Sequence, residues 1–338
     1  MEIILFGSIL ISFILTALIL PKWIKKCRKV GLLWEDMNKF NHRKAAASGG
    51  IVVVMAFVLS VLSYVAVRTF IIDGNGTTLD IFALLSVILI LALIGIIDDL
   101  FGWQHGGISA KFRLFLAFLA SIPLVVINSG VHKMAFPFLG IVDFGILYPL
   151  IIVPLGVVGT TTTYNFLAGL GGLESGQGII ILTFLSFIAY ITGSSWLALI
   201  GLCMVASLII FYFYNKPPAR VFPGDSLTWA IGALIACMAI LGNFEKIAIF
   251  IFIPYILEVI LKLRGRLKKQ SFLIPQKDGS LEMPFNKIYG LTHLSLFILK
   301  KFKRKVYERD VTYLIFMFQI IICLSALIIF REGVFYGL

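Results

Sequence analysis

Thr161 to Gly178 reads TTTYNFLAGLGGLESGQG, a polar, glycine-rich stretch set between two strongly apolar segments. Hydrocarbon cannot satisfy an irregular backbone, so a break of this kind belongs where a membrane helix meets water. It reads as the floor of a functional site. Three other stretches share its character: Asp98-Asp99 closing one apolar run, Asn215 to Asp225 (NKPPARVFPGD) closing another, and the basic segment after Leu261. The fold turns on whether all four lie on one side of one membrane.

Apolar residues fill 60% of the 338 positions and charged residues 14%, and mean hydropathy is +1.02. That is the profile of a polytopic membrane protein rather than a soluble globule. A net charge of +12 would point to nucleic acid in a soluble protein. In a membrane protein the position of the charge matters more than its sum, and nucleic acid is not an expected partner. Cys27, Cys203, Cys237 and Cys323 lie far apart without CxxC or Cys/His spacing, and predict neither a disulfide framework nor a zinc site. The first apolar run follows Met1-Glu2 with no basic n-region and no small-x-small cleavage signal, and is expected to be a retained transmembrane helix.

A spanning helix needs about 20 mostly apolar residues. On that measure ten spans are expected, at 3–21, 49–70, 80–97, 112–128, 147–165, 175–192, 195–214, 226–242, 246–262 and 311–330. The fold class is thus an all-α polytopic membrane protein, one domain over 1–338 with a basic loop at 262–310. Residues 129–146, with Pro137 and several glycines, have room for a small hairpin, and no internal repeat is visible. Of the 29 Lys and Arg, 25 fall in the linkers after spans 1, 3, 7 and 9. The positive-inside rule then puts those linkers in the cytoplasm and both termini on the other side. The four polar stretches converge on the cytoplasmic face.

Asp98-Asp99 follows LILALIGII, so two carboxylates are held at the membrane surface, where unpaired charge is costly. They either cap the helix end in water or serve a site. Lys111 opens the next helix after GGIS and is either a solvated anchor or a phosphate contact. In NKPPARVFPGD, Asp225 is either an ordinary helix N-cap or a Mg2+ ligand, since Mg2+ keeps several waters and takes only one or two protein oxygens. Asn165 offers a second, neutral oxygen. The cluster Arg264, Arg266, Lys268 and Lys269 is placed to close over a pyrophosphate, whereas Lys300 to Arg309 reads as an anchor on anionic lipid.

Taken together these stretches resemble the polyprenyl-phosphate N-acetylhexosamine-1-phosphate transferases. The likeness runs from WEDMNKFNHRKAAASGGI through GIIDDL, GISAK, NFLAGLGGLESGQ and PPARVFPGD to DGSLEMPFNK. NFLAGLGGLESGQ and DGSLEM are similar to the eukaryotic dolichyl-phosphate branch, and the compact loops suit an archaeal relative of it. The resemblance implies that Asp98, Asp99 and Lys111 are catalytic and that Asn165 and Asp225 hold Mg2+, with Mn2+ as the alternative. It makes Asn38, Lys39, Arg264, Arg266, Lys268 and Lys269 the candidates for substrate binding. Three departures stand out. The bacterial acids are replaced in Ala168-Gly169-Leu170-Gly171-Gly172, Thr162 stands where many relatives and Gly171 where the eukaryotic type has asparagine, and neither the His-rich bacterial motif nor the eukaryotic Arg-His-Arg motif of the last cytoplasmic loop is recognisable.

What the resemblance implies is transfer of N-acetylhexosamine-1-phosphate, GlcNAc-1-phosphate first among the candidates, from a UDP-sugar to a polyprenyl or dolichyl phosphate with release of UMP. Membrane lipid is then a partner, a homodimer is compatible, and the site faces the cytoplasm from the cell membrane. The rival class is a cation-coupled transporter using Asp98 and Asp99. It requires carboxylates near mid-membrane and repeated half-structures.

Overall fold

A computed structural model describes residues 2–72, 76–105, 107–136 and 140–331. The chain is a helix bundle, with α1 (Glu2–Val30), α2 (Gly50–Val67), α3 (Thr78–His105), α4 (Ala110–Ala120), α5 (Ile122–Val126), α6 (Val153–Phe166), α7 (Leu173–Ile191), α8 (Ser195–Asn215), α9 (Asp225–Leu241), α10 (Glu245–Ile251), α11 (Ile253–Arg264), α12 (Leu291–Lys300) and α13 (Glu308–Ile329). Among the described residues six helices are long and apolar enough to cross a membrane: Phe6–Val30, Gly50–Ile71, Thr78–Gly102, Leu173–Ile191, Ser195–Asn215 and Glu308–Ile329.

Helix also occupies the other four expected spans, but shortened or interrupted. Proline accounts for three of them, because it removes a backbone donor and clashes with the preceding turn. Pro123 follows the break at Ser121 between α4 and α5, Pro149 lies in a wide π turn (Tyr148–Ile152) ahead of α6, and Pro254 follows the break at Phe252 between α10 and α11. The fourth, α9, is unbroken but has only 17 residues. A second departure concerns Asp98 and Asp99. Instead of ending their helix they lie inside it, since α3 runs on to His105.

The core is made by α3 and α6 packed on α9, by α7 on α8, and by α1 on α2 and α8. Small residues set the closest approaches. A Cβ at Gly232 of α9 would lie 2.6 Å from the Thr161 Cα of α6, and one at Gly95 of α3 would lie 2.6 Å from the Ser226 amide nitrogen of α9.

Three two-stranded antiparallel ribbons decorate the helices: β1 (Leu33–Glu35) with β2 (Lys44–Ala46), β3 (Lys133–Phe136) with β4 (Gly140–Asp143), and β5 (Ile274–Pro275) with β6 (Leu281–Glu282). The second is the hairpin expected within 129–146; its Pro137 lies outside the described residues. The first matters for the site. After β2 the chain runs parallel to the Arg220 to Pro223 stretch, with the Ala46, Gly49 and Gly50 amides donating to the Arg220, Phe222 and Pro223 carbonyls at 3.1, 2.9 and 2.9 Å. A side chain at Gly50 would stand 2.6 Å from the Pro223 carbonyl oxygen, so glycine lets the two loops close up.

Candidate active site

Where α3 crosses the start of α9, the adjacent carboxylates separate in duty. Residues one apart on a helix point about 100° away from each other, so Asp98 and Asp99 cannot face the same partner. Asp99 turns to α9: its Oδ1 accepts from the Asp225 amide at 2.8 Å and its Oδ2 from the Ser226 amide at 3.5 Å. It therefore supplies the anionic cap that satisfies the first orphan donors of α9. Gly224, at φ 74°, lets the chain pass the Asp99 carboxylate; a Cβ there would meet it at 2.3 Å. Asp98 turns to the chain leading into α4, accepting from the Ile108 amide and pairing through Oδ2 with Arg113 Nη1 at 2.8 Å.

Arg113 is the cation of this cluster. The same Nη1 lies 3.4 Å from Asp225 Oδ2, so one guanidinium spans Asp98 and Asp225. Lys111, two residues earlier, is exposed and makes no ion pair among the described residues.

The glycine-rich break is held from behind by polar side chains. After Asn165, in the last turn of α6, the chain passes through Gly169 and Gly172, both in the left-handed region at φ 108° and 79°. The Gly169 amide donates to Glu174 Oε1 at 3.0 Å, the Gly171 amide to Glu308 Oε1 at 2.6 Å, and the Gly172 amide to Asn215 Oδ1 at 3.1 Å. Asn38 and Lys39 belong to this scaffold. Asn38, 3% exposed, donates through Nδ2 to the Gly169 carbonyl and accepts the Leu273 amide on Oδ1 at 3.1 Å. Lys39 pairs with Glu308. Both expected substrate contacts thus have their polar atoms engaged by protein.

In front of the break is a cavity of about 250 Å³, whose lining includes Asn165, Asp225, Glu174, Asp36, Phe222 and Phe272. Thr228 of α9 donates to Asn165 Oδ1 at 3.1 Å, which fixes that oxygen beside Asp225's helix. Glu35 also lines the cavity, giving it four carboxylates and no Lys or Arg. Burial pushes the Asp36 carboxyl above its ordinary range, opposed by Lys39, the Asn38 amide and Arg43. Glu174 is 6% exposed and leaves Oε2 without a hydrogen-bond partner. Arg264, the last residue of α11, and Arg266, Lys268 and Lys269 beyond it are exposed and none lines the cavity; Lys269 instead rests its Nζ 4.7 Å from the Phe285 ring centroid.

A wall of this kind repels a polyanion unless a cation intervenes. Among the described residues no three His, Cys, Asp or Glu side chains group as a metal site. A carboxylate (Asp225) and an amide oxygen (Asn165) on one cavity fit Mg2+, which takes few protein oxygens and completes its shell with water and substrate phosphate. Sequence reading missed Arg113 and Glu174. A buried acid at the head of an apolar helix is itself a signal for the second.

The sequence profile described as glycosyl transferase family 4 matches residues 81–243. A protein of Saccharolobus solfataricus, provisionally named UDP-N-acetylglucosamine–dolichyl-phosphate N-acetylglucosaminephosphotransferase, is 34% identical over 302 residues, covering 89% of each chain. The chain belongs to glycosyl transferase family 4. A Dictyostelium discoideum family member of the same name is 28% identical over 313 residues, covering 81% of this chain and 72% of its own. A phospho-N-acetylmuramoyl-pentapeptide-transferase of a Nitratiruptor species is 31% identical over 306 residues, covering 78% and 81%. Family membership and six apolar helices make this glycosyl transferase a multi-pass membrane protein. The family match contains Asp98, Asp99, Arg113, Asn165, Glu174 and Asp225, and excludes Asn38, Lys39 and the basic segment at 262–310.

Proposed function

We propose that this protein transfers N-acetylglucosamine-1-phosphate from UDP-GlcNAc to a polyprenyl or dolichyl phosphate, releasing UMP, as the first membrane step of lipid-linked glycan assembly. The observation that carries the reading is the acidic cavity at the end of α6 and the start of α9. Its four carboxylates suit a diphosphate only when a divalent cation lies between them. A second cavity of about 390 Å³, almost wholly apolar, follows α6 past Gly156, Gly159 and Thr163 toward the turn that bears Asn165. It offers a polyprenyl chain a groove along the helix that carries Asn165. The relatives' names supply the substrate pair.

Asn165 and Asp225 would hold Mg2+, or Mn2+ in its place. When bound, the ion neutralises diphosphate charge. A phosphate monoester has a second pKa near 6, so the acceptor is already largely ionised at neutral pH and needs little help from a base. An acceptor oxygen forms a bond to the β-phosphorus as the bond from that phosphorus to the bridging oxygen breaks. The electron pair leaves with UMP. Transfer of this kind rests on positioning and charge neutralisation. Asp99 holds the head of α9 and with it Asp225, and Asp98 holds Arg113 toward the same carboxylate. Arg113 rather than Lys111 is then the cation that acts on the site, through the Asp225 carboxylate.

Ten spans, with both termini outside and the cavity open to the cytoplasm from the cell membrane, complete the reading. It rests on the Lys/Arg distribution together with helix in all ten expected positions. Incubating the purified protein with Mg2+, dolichyl phosphate and a panel of UDP-sugars tests the reaction. UMP and a lipid diphosphate GlcNAc are expected. Release of UDP, or no product with any sugar, contradicts it.

A further inference from the structure

A further polar pocket adjoins the glycine-rich break, where Gly171 packs on Pro217 and Gly172 on Tyr212 and Lys216. It has a volume of about 110 Å³ and is lined by Tyr212, Lys216, Pro217, Arg309, Thr312 and Tyr313. Lys216 directly follows α8 and Arg309 opens α13, and both helices are long and apolar enough to span a membrane. The pocket is therefore at the level where two spans emerge from hydrocarbon.

Its charge is positive and unanswered. Lys216 and Arg309 have no carboxylate partner among the described residues: Lys216 Nζ lies 5.0 Å from the Phe213 ring centroid, and Arg309 gives one nitrogen to the Pro217 carbonyl at 3.1 Å. The neighbouring acids are already engaged. Glu308 is taken by Lys39 and the Gly171 amide, and Asp310 by Lys303 at 2.6 Å and the Tyr307 amide at 2.9 Å. The floor supplies a second, independent sign of a ligand. Thr312 is 2% exposed and its hydroxyl has no partner, although a helical threonine ordinarily bonds back to a carbonyl three or four residues earlier. A buried hydroxyl left unsatisfied beneath two cations that lack a carboxylate partner is a donor suited to an oxyanion.

We propose that this pocket binds the phosphate group of an anionic phospholipid. Below it, toward the middle of the spans, Phe213, Tyr313 and Met317 present 59%, 56% and 52% exposed apolar side chains. A headgroup in the pocket therefore lays its acyl chains on a hydrophobic surface, which a free phosphate does not need. The site also touches the scaffold of the break. Asn215, which receives the Gly172 amide and the Ser175 hydroxyl, precedes Lys216, and Glu308, which receives the Gly171 amide, precedes Arg309. An occupied pocket ties the ends of α8 and α13 together across the residues that hold the break.

The test is thermal melting of the purified full chain in nonionic detergent with added phosphatidylglycerol, phosphatidylcholine or inorganic phosphate. The melting temperature is expected to rise by several degrees with phosphatidylglycerol and by much less with phosphatidylcholine. Thr312→Val removes the hydroxyl at nearly constant volume and charge, and should lose most of the rise relative to its own baseline. Lys216→Gln/Arg309→Gln, both at exposed positions, should lose it too and keeps the test available if the valine variant folds poorly. Lys301→Gln/Arg304→Gln removes the same charge from neighbouring residues that do not line the pocket and should retain it. Equal rises in the wild type and in both pocket variants overturn the site. A rise with inorganic phosphate as large as with phosphatidylglycerol overturns the lipid as its source.

Discussion

The cavity wall and the basic segment that follows α11 are opposites. The acidic side is locked: Asp225, which lines the cavity, is tied to Arg113, Asp98 and Asp99 behind it are tied to Arg113 and to the amides of α9, and the break is pinned by Glu174, Glu308 and Asn215. Arg264, Arg266, Lys268 and Lys269 are cationic, exposed and without ion pairs among the described residues. For a substrate with two phosphates the difference separates two tasks. On the proposed reaction, the locked wall would fix where charge is neutralised in the transition state and act on kcat, and the open cluster would attract the polyanion from solution and act on KM at low salt.

Asp225→Ala strikes the wall hardest. UMP release should fall by more than about 10³-fold, the upper end of losses seen when one preorganised electrostatic group is removed, and raising Mg2+ should not restore it. Next in size is the contrast between two neighbouring cations. Arg113→Ala should lower kcat about 10²-fold, while Lys111→Ala, which removes a charge with no ion pair, should stay within about twofold. Equal losses would put the phosphate contact back on Lys111.

Asp99→Ala should act through position. Losing an N-cap costs about 1 kcal/mol of stability, and kcat should fall with Asp225 displaced while KM for the UDP-sugar moves little. Thermal melting and a kcat against KM comparison read the two effects separately. Smallest of all, replacing Arg264, Arg266, Lys268 and Lys269 by Gln should raise KM by less than about fivefold, with the effect disappearing near about 0.5 M salt. A large loss of kcat in that variant would erase the division between wall and cluster.

Much of this architecture is legible in composition and periodicity. Helix stands in each of the ten expected positions, although only six of these helices are long and apolar enough to span among the described residues, and the small hairpin is where glycine and proline announce it. The polar breaks that meet at the cavity, Asn165 and Asp225 among them, were readable because irregular backbone has few places to go in a membrane protein. What was not legible is rotation about a helix axis. Lys111 and Arg113 differ by two residues, about 200° around α4, and only packing decides which one faces Asp98. The same holds for Asp98 and Asp99, which look like a pair in sequence and serve different helices in space. Asn38 and Lys39 carry donors that suit a substrate, but the folded loop spends them on Gly169 and Glu308.

The claim that Asn165 and Asp225 share one divalent cation is open to a direct reading without turnover. Electron paramagnetic resonance counts Mn2+ bound to the purified protein in the presence of UDP. About one bound ion per chain is predicted for the wild type, with occupancy lost in Asp225→Ala and weakened in Asn165→Ala. Undiminished Mn2+ binding in the Asp225 variant would contradict the account.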